Sequence, residues 1–108
     1  MYSQGGKTAR MSSIIKLDSV IVATNNQISA DLAGEAVILH LGQGIYYSLD
    51  TVGARIWSLI QTPVTIDKIR DVILEEYEVS REQCESDLLA LLLEMKDKQL
   101  VEVRNETN

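Results

Sequence analysis

The spacing of apolar residues changes character halfway along the chain. Between residues 20 and 49 they alternate with polar residues or run in short β-branched stretches, and between 51 and 98 they recur every three to four positions. The first part predicts strands and the second predicts helices. Val20 to Ala23 is β-branched or small, Thr24-Asn25-Asn26 supplies turn chemistry, and Ile28 to Leu32 alternates, so two short strands are expected there. Glu35 to Leu41 places Val37, Leu39 and Leu41 on one face and Ala36, Ile38 and His40 on the other. Apolar residues on both faces predict a central strand. Gly42-Gln43-Gly44 then forms a three-residue connection into Ile45-Tyr46-Tyr47-Ser48-Leu49, and the pair reads as a hairpin.

Asp50 is placed to cap a helix over Thr51 to Gln61, with Val52, Ile56, Leu59 and Ile60 on one face and Trp57 at its edge. Pro63 ends that region. Thr65 caps a second helix, Ile66 to Tyr77, with Ile69, Val72, Ile73 and Tyr77 pointing inward. Ser80 followed by Gln83 has the spacing of a reciprocal capping box and opens a third helix, Ser80 to Lys98. Leu100 to Val103 follows as a short strand. Strands first, then three helices, give an α+β fold with helices on one side of a small antiparallel sheet.

The third helix carries more apolar surface than one buried face requires. At about 100° per residue, Cys84, Leu88, Leu91, Leu92 and Met95 share a stripe, and Leu89 and Leu93 widen it by roughly a third of a turn. Either this helix is central and packs against two elements of its own domain, or the surplus forms one wall of a groove for a partner. Periodicity alone leaves both open.

The chain has 108 residues, enough for one domain. Residues 1–13, with Gly5-Gly6 and little hydrophobicity, read as a flexible tail that includes an alternative start at Met11, residues 14–103 as the domain, and residues 104–108 as a polar tail. A net charge of −6 disfavours nucleic acid as a partner, because phosphate neutralisation needs clustered Lys and Arg. The only cysteine, Cys84, excludes an internal disulfide and fits a reducing cytoplasm. No apolar run reaches membrane-spanning length, and no secretory signal is visible at the N-terminus.

Chemistry is hard to assemble. His40 is the only histidine, so neither a histidine metal cluster nor a Ser/His/Asp or Cys/His arrangement can form around a second one. The glycines lack the Lys and Ser/Thr of a phosphate loop. Glu75, Glu76, Glu78, Glu82 and Glu85 read as a solvated acidic surface. No catalytic residue, metal or cofactor is expected. An exposed strand beside a helix with surplus apolar arc suggests instead a peptide-recognition module, in which an incoming segment adds a strand to the edge Ile45 to Leu49. Tyr46 and Tyr47 must point to opposite faces, one inward and one available to a guest.

The segments Glu35-Ala36-Val37-Ile38-Leu39, Gly44-Ile45-Tyr46-Tyr47-Ser48-Leu49, Val52-Gly53-Ala54-Arg55-Ile56-Trp57 and Asp87-Leu88-Leu89-Ala90-Leu91-Leu92, with Leu100-Val101, together resemble the PqqD-like family of peptide-recognition elements. These elements serve ribosomally made, post-translationally modified peptides. The likeness spans roughly Ile15 to Val103 and is greatest to the stand-alone leader-binding proteins of lasso-peptide clusters. It implies a winged-helix-like domain, an N-terminal three-stranded antiparallel sheet followed by three helices, with no catalysis of its own. It also implies a leader peptide bound as an added strand between the third strand and the third helix, and presented to a separate leader protease and cyclase. Carried onto this chain, the peptide-binding candidates are Ile45, Tyr46, Tyr47, Ser48, Cys84, Asp87, Leu88, Leu91, Leu92 and Met95. Asp87 and the glutamates of the third helix are then placed to meet a basic residue of the leader.

Two other readings are weighed beside it. One keeps the family and makes the chain a peptide chaperone for a radical enzyme. The other is a winged-helix DNA-binding regulator, which requires a basic third helix, whereas Arg81, Lys96 and Lys98 are outweighed there by Glu82, Glu85, Asp87, Glu94 and Asp97. Homodimerisation through an exposed strand edge stays open.

Overall fold

The computed structural model describes residues 15–104. The expected tails over residues 1–13 and beyond Arg104 lie outside them. In chain order the elements are β1 (Val20–Ala23), β2 (Gln27–Leu32), β3 (Glu35–His40), β4 (Ile45–Leu49), α1 (Thr51–Leu59), β5 (Val64–Thr65), α2 (Ile66–Glu76), α3 (Arg81–Asp97) and β6 (Val101–Arg104). The fold is α+β, with the expected three-stranded antiparallel sheet preceding three helices and a small second sheet added.

The principal sheet has the order β2-β3-β4. Its first hairpin turns through Ala33 and Gly34, both at positive φ (56° and 88°), the pattern of a type I′ turn whose twist matches that of the strands. Pairing of Ala36 with Leu49, Ile38 with Tyr47 and His40 with Ile45 puts these residues on the face toward the helices. The central strand buries Ala36, Ile38 and His40, and Val37 and Leu39 are half-buried on the far face. Leu41 leaves the strand and joins a four-residue loop, one longer than the glycine spacing suggests, closed by Gly44 N donating to His40 O at 2.7 Å. A Cβ at Gly42 would lie 2.8 Å from Asn26 Nδ2 and 3.2 Å from His40 Cε1, so a larger residue here requires the Asn26 side chain to move aside.

β1 does not join that sheet. It pairs with β5 on one side and β6 on the other, the order being β5-β1-β6. β5 was not expected, because two residues are too few to show alternation. Arg104 belongs to β6, so the last strand runs one residue further than the sequence indicates. Strand formation also changes the role of Thr65. It pairs with Val20, and its hydroxyl donates to Asp67 Oδ1 at 2.5 Å, so it precedes α2 without making a side-chain cap bond.

The helices pack around one core that includes Ile21, Ile38, Ile60, Ile66, Ile69 and Leu92. Trp57, placed at the edge of α1 by periodicity, is 5% exposed and part of this core. α1 stops at Leu59 and α2 at Glu76, each one or two residues earlier than expected. Asp50 caps α1 as expected, its Oδ1 accepting from Gly53 N at 2.8 Å. At the start of α3 only half of the capping box forms. Ser80 Oγ accepts from Gln83 N at 3.1 Å, while the Gln83 amide turns along the helix and donates to Asp87 Oδ1 at 2.8 Å. The far end of α3 is a Schellman motif. Gln99 takes φ 63°, its amide donates to Lys96 O at 3.0 Å, and Leu100 N donates to Met95 O at 2.9 Å. A glycine C-cap geometry is therefore present, with glutamine in the glycine position.

Candidate functional site

β4 is hydrogen-bonded to β3 alone, and among the described residues no further strand pairs with its outer side. The free edge stands over a groove of about 620 Å³. Ser48, Leu49 and Asp50 form its strand wall, and Cys84, Asp87, Leu88 and Leu91 form its helix wall on α3. Val52, Gly53 and Ile56 of α1 contribute the floor, and Ile73, Tyr77 and Val79 close the far side. The wall pattern follows from the α3 sequence: Cys84, Leu88 and Leu91 lie three or four residues apart, and Asp87 borders them toward solvent.

Gly53 lets the floor approach the strand. A Cβ there would lie 3.2 Å from Asp50 Oδ1 and 3.3 Å from Leu49 Cβ, so a larger residue would require the cap side chain and Leu49 to give slightly. The groove lining is apolar except at its rim, where Asp50, Glu78 and Asp87 carry negative charge and no Lys or Arg contributes. Asp50 and Asp87 already accept bonds from Gly53 N and Gln83 Nε2. Their remaining oxygen lone pairs can still meet a cation or an amide. Burial pushes the Cys84 thiol above its ordinary range, with Arg70 opposing the shift. A thiol so held is a small apolar wall element rather than a nucleophile.

The candidate residues divide into three groups. Ser48, Cys84, Asp87, Leu88 and Leu91 meet at the groove. Leu92 and Met95 do not: they are 0% and 2% exposed and belong to the core. The groove is thus built from the main stripe, whose Cys84, Leu88 and Leu91 also pack with the core, whereas of the two residues that widen the arc Leu89 is half-buried against the core, Leu93 is exposed, and neither lines the groove. Ile45, Tyr46 and Tyr47 lie on the edge strand away from the groove. Tyr46 is 69% exposed on the far face of the sheet, while Tyr47 turns inward and packs against the core.

Tyr47 also takes part in a contact between the hairpin and the end of α3. Its hydroxyl donates to Gln43 Oε1 at 2.7 Å, and Gln43 Nε2 donates to the carbonyl of Lys98 at 3.2 Å. Lys98 Nζ lies 5.4 Å from the Tyr47 ring centroid and 2.6 Å from Glu94 Oε2.

Sequence reasoning missed the α1 and α2 contributions to the groove. The Asp50-x-x-Gly53 spacing was the available signal, since a side-chain-free residue in the first turn leaves room for the cap side chain and for Leu49 before it. Residues outside the groove have structural roles. His40 is buried, and its Nδ1 accepts from Gln43 N at 3.1 Å. Glu76 holds Arg55 in a bidentate pair at 2.8 and 2.9 Å. Among the described residues no cluster of His, Cys, Asp and Glu could hold a metal ion, and no helix is long and apolar enough to cross a membrane.

Comparison with known proteins gives three findings. The profile of the family described as coenzyme PQQ synthesis protein D (PqqD) matches residues 35–101. A solved structure described as TbiB1 in complex with the TbiA(beta) leader peptide is 40% identical over 75% of this chain and 94% of its own, with a TM-score of 0.71. A second, described as lasso peptide synthetase B1 complexed with the leader peptide, is 22% identical over 76% of this chain and 96% of its own, with a TM-score of 0.63, and shares the fold. No curated protein matches the sequence.

Proposed function

The chain belongs to the PqqD family, and from that membership we propose that it binds the leader segment of a ribosomally made precursor peptide by accepting it as a fourth strand on β4. The carrying observation is the unpaired outer side of β4 beside an apolar groove on α3. An added strand would satisfy the edge amides and carbonyls, and every second side chain would face the groove. TbiB1, the 40% identical relative, is described in complex with such a leader. As a PqqD-type domain the chain has no catalytic role of its own, and it acts by holding its guest.

The precursor is a lasso peptide in this reading, and the bound leader is handed to a separate leader protease and cyclase. Both structural relatives support a leader guest, and the second is described as a lasso peptide synthetase component. The guest would place apolar anchors over Leu88 and Leu91, with Cys84 between the walls and Asp87 at the rim near a basic or amide-bearing side chain. Ser48 supplies the adjoining edge backbone. A leader burying about 1,200 Å² in all would bind at micromolar to nanomolar strength after its own ordering is subtracted.

Titration of a fluorescein-labelled leader of a precursor peptide from the same genome tests the proposal. Saturable binding is expected, and N-methylation at alternate leader residues should abolish it in one phase of the alternation and spare it in the other. Absence of binding below about 100 μM sinks the proposal, and insensitivity to N-methylation sinks strand addition.

The family description itself favours a second reading, in which the chain serves a quinone-cofactor or related pathway and delivers its peptide to a radical enzyme. Reconstitution with each class of partner enzyme separates the two. DNA binding has no such support, since the exposed charged residues of α3 are Glu82, Asp87, Glu94 and Asp97 against Arg81.

A further inference from the structure

The slot between β4 and α3 is open at one end and tied shut at the other. Its groove begins at Ser48 on the strand and extends no further along α3 than Leu91. Beyond those residues the two walls are joined through Gln43. The Tyr47 hydroxyl donates to Gln43 Oε1 at 2.7 Å, and Gln43 Nε2 donates to the Lys98 carbonyl at 3.2 Å, so one amide side chain links the strand to the helix C-terminus. The Tyr47 ring lies beneath, with Lys98 Nζ 5.4 Å from its centroid.

We propose that Gln43 is a positioning residue for guest recognition: by bridging Tyr47 and the Lys98 carbonyl it closes one end of the slot and holds β4 and α3 at the separation a guest strand requires. This rests on the leader-binding reading above. The physical basis is preorganisation. A β edge and a helix that face each other across a groove can vary in spacing, and a guest must then restrict that motion itself at a cost in affinity. Both Gln43 bonds use backbone or hydroxyl partners outside the groove, so the bridge shapes the slot without touching a groove-seated anchor. The carbonyl it engages belongs to the last turn of α3, one of the helix-end acceptors that the helix itself leaves available. A closed end also gives the slot a direction: anchoring side chains of the guest belong beside Ser48 to Asp50, and none belongs beside Tyr47.

The test uses the full chain, the fluorescein-labelled leader described above, and the variants Gln43→Ala, Tyr47→Phe and their combination. Gln43→Ala removes both bonds of the bridge, and Tyr47→Phe removes one while keeping the ring. Each should raise the leader Kd by roughly five- to tenfold for Gln43→Ala and about threefold for Tyr47→Phe, mainly through faster dissociation. The double variant should be no worse than Gln43→Ala alone, because the two groups act through one contact. Thermal midpoints should stay close to that of the wild type, which separates slot geometry from folding stability. Unchanged or tighter binding by Gln43→Ala overturns the proposal, as does simple additivity in the double variant or a loss of affinity that tracks a fall in thermal midpoint. Failure of the wild type itself to bind the leader overturns the leader-binding reading instead.

Discussion

The amide of Leu100 donates to the carbonyl of Met95 at 2.9 Å across the end of α3, and both side chains are buried beneath the turn. This bond and its companion from Gln99 N to Lys96 O force Gln99 to φ 63°, a left-handed conformation that costs an L residue about 1 kcal/mol. Glycine removes that cost and gives some of it back through a freer unfolded chain. Gln99→Gly should therefore raise stability by about 0.5 to 1 kcal/mol in urea unfolding. A loss of stability would show that the Gln99 side chain makes a compensating contribution.

The opposite end of α3 depends on Ser80. Its hydroxyl accepts from Gln83 N, and the structure offers no reciprocal bond from Gln83 to replace it. Ser80→Ala should cost about 1 kcal/mol, whereas Ser80→Asp should hold stability near wild type, as the same denaturation measurement would reveal.

Leu91 and Leu93 separate guest binding from general hydrophobicity. Leu91 lines the groove, while Leu93 is 47% exposed on another face of α3. Under the leader-binding reading, Leu91→Ser should weaken leader affinity about tenfold, close to 1.4 kcal/mol, and Leu93→Ser should leave it unchanged. Equal effects in the two variants would argue against the groove as the binding surface.

The Arg55–Glu76 pair predicts a pH dependence. Arg55 holds the Glu76 carboxyl below its usual range through two charge-assisted hydrogen bonds. The folded state therefore binds that proton more weakly than the unfolded state does. The contribution is present above the ordinary carboxylate range and disappears as pH falls through the lowered value. Both side chains are over a third exposed, so the effect is small and screened by salt. Comparing urea midpoints of wild type and Glu76→Gln at neutral pH and at pH values in the acidic range should show a gap that closes toward acid.

Cys84 has the opposite sign. Burial raises its thiol above the ordinary range, so the unfolded chain releases that proton first and stability declines as pH rises through the ordinary thiol value. Cys84→Ala should remove this alkaline slope. Alkylation by iodoacetamide at pH 8 should also be much slower in the folded protein than in denaturant, and slower still with a leader bound.

Much of this architecture is legible in the residues. The three helices, the caps at Asp50 and Ser80 and the central position of β3 follow from local preference and periodicity, because side-chain spacing and backbone donors act within a few residues. The groove is only partly legible. Leu88 and Leu91 sit on the predicted stripe, yet Leu92 and Met95 share it and are sealed in the core. Angular position on a helix says which residues are neighbours, whereas burial depends on what stands opposite. That is decided by α1, whose Gly53 and Ile56 reach the groove while Trp57 turns into the core.

The sequence by itself determined the types and order of every element but β5, the acidic surface and the family, since each is a property of local chemistry or of residues in order. Only the tertiary structure decided that β1 leaves the main sheet for β5 and β6, that β4 keeps a free edge, and that Gln43 joins Tyr47 to Lys98. The reason is physical. Strand partnership and cleft closure depend on contacts between residues as far apart as Val20 and Arg104, 84 positions, and a single chain's pattern carries the preferences of each partner without stating which of them meet.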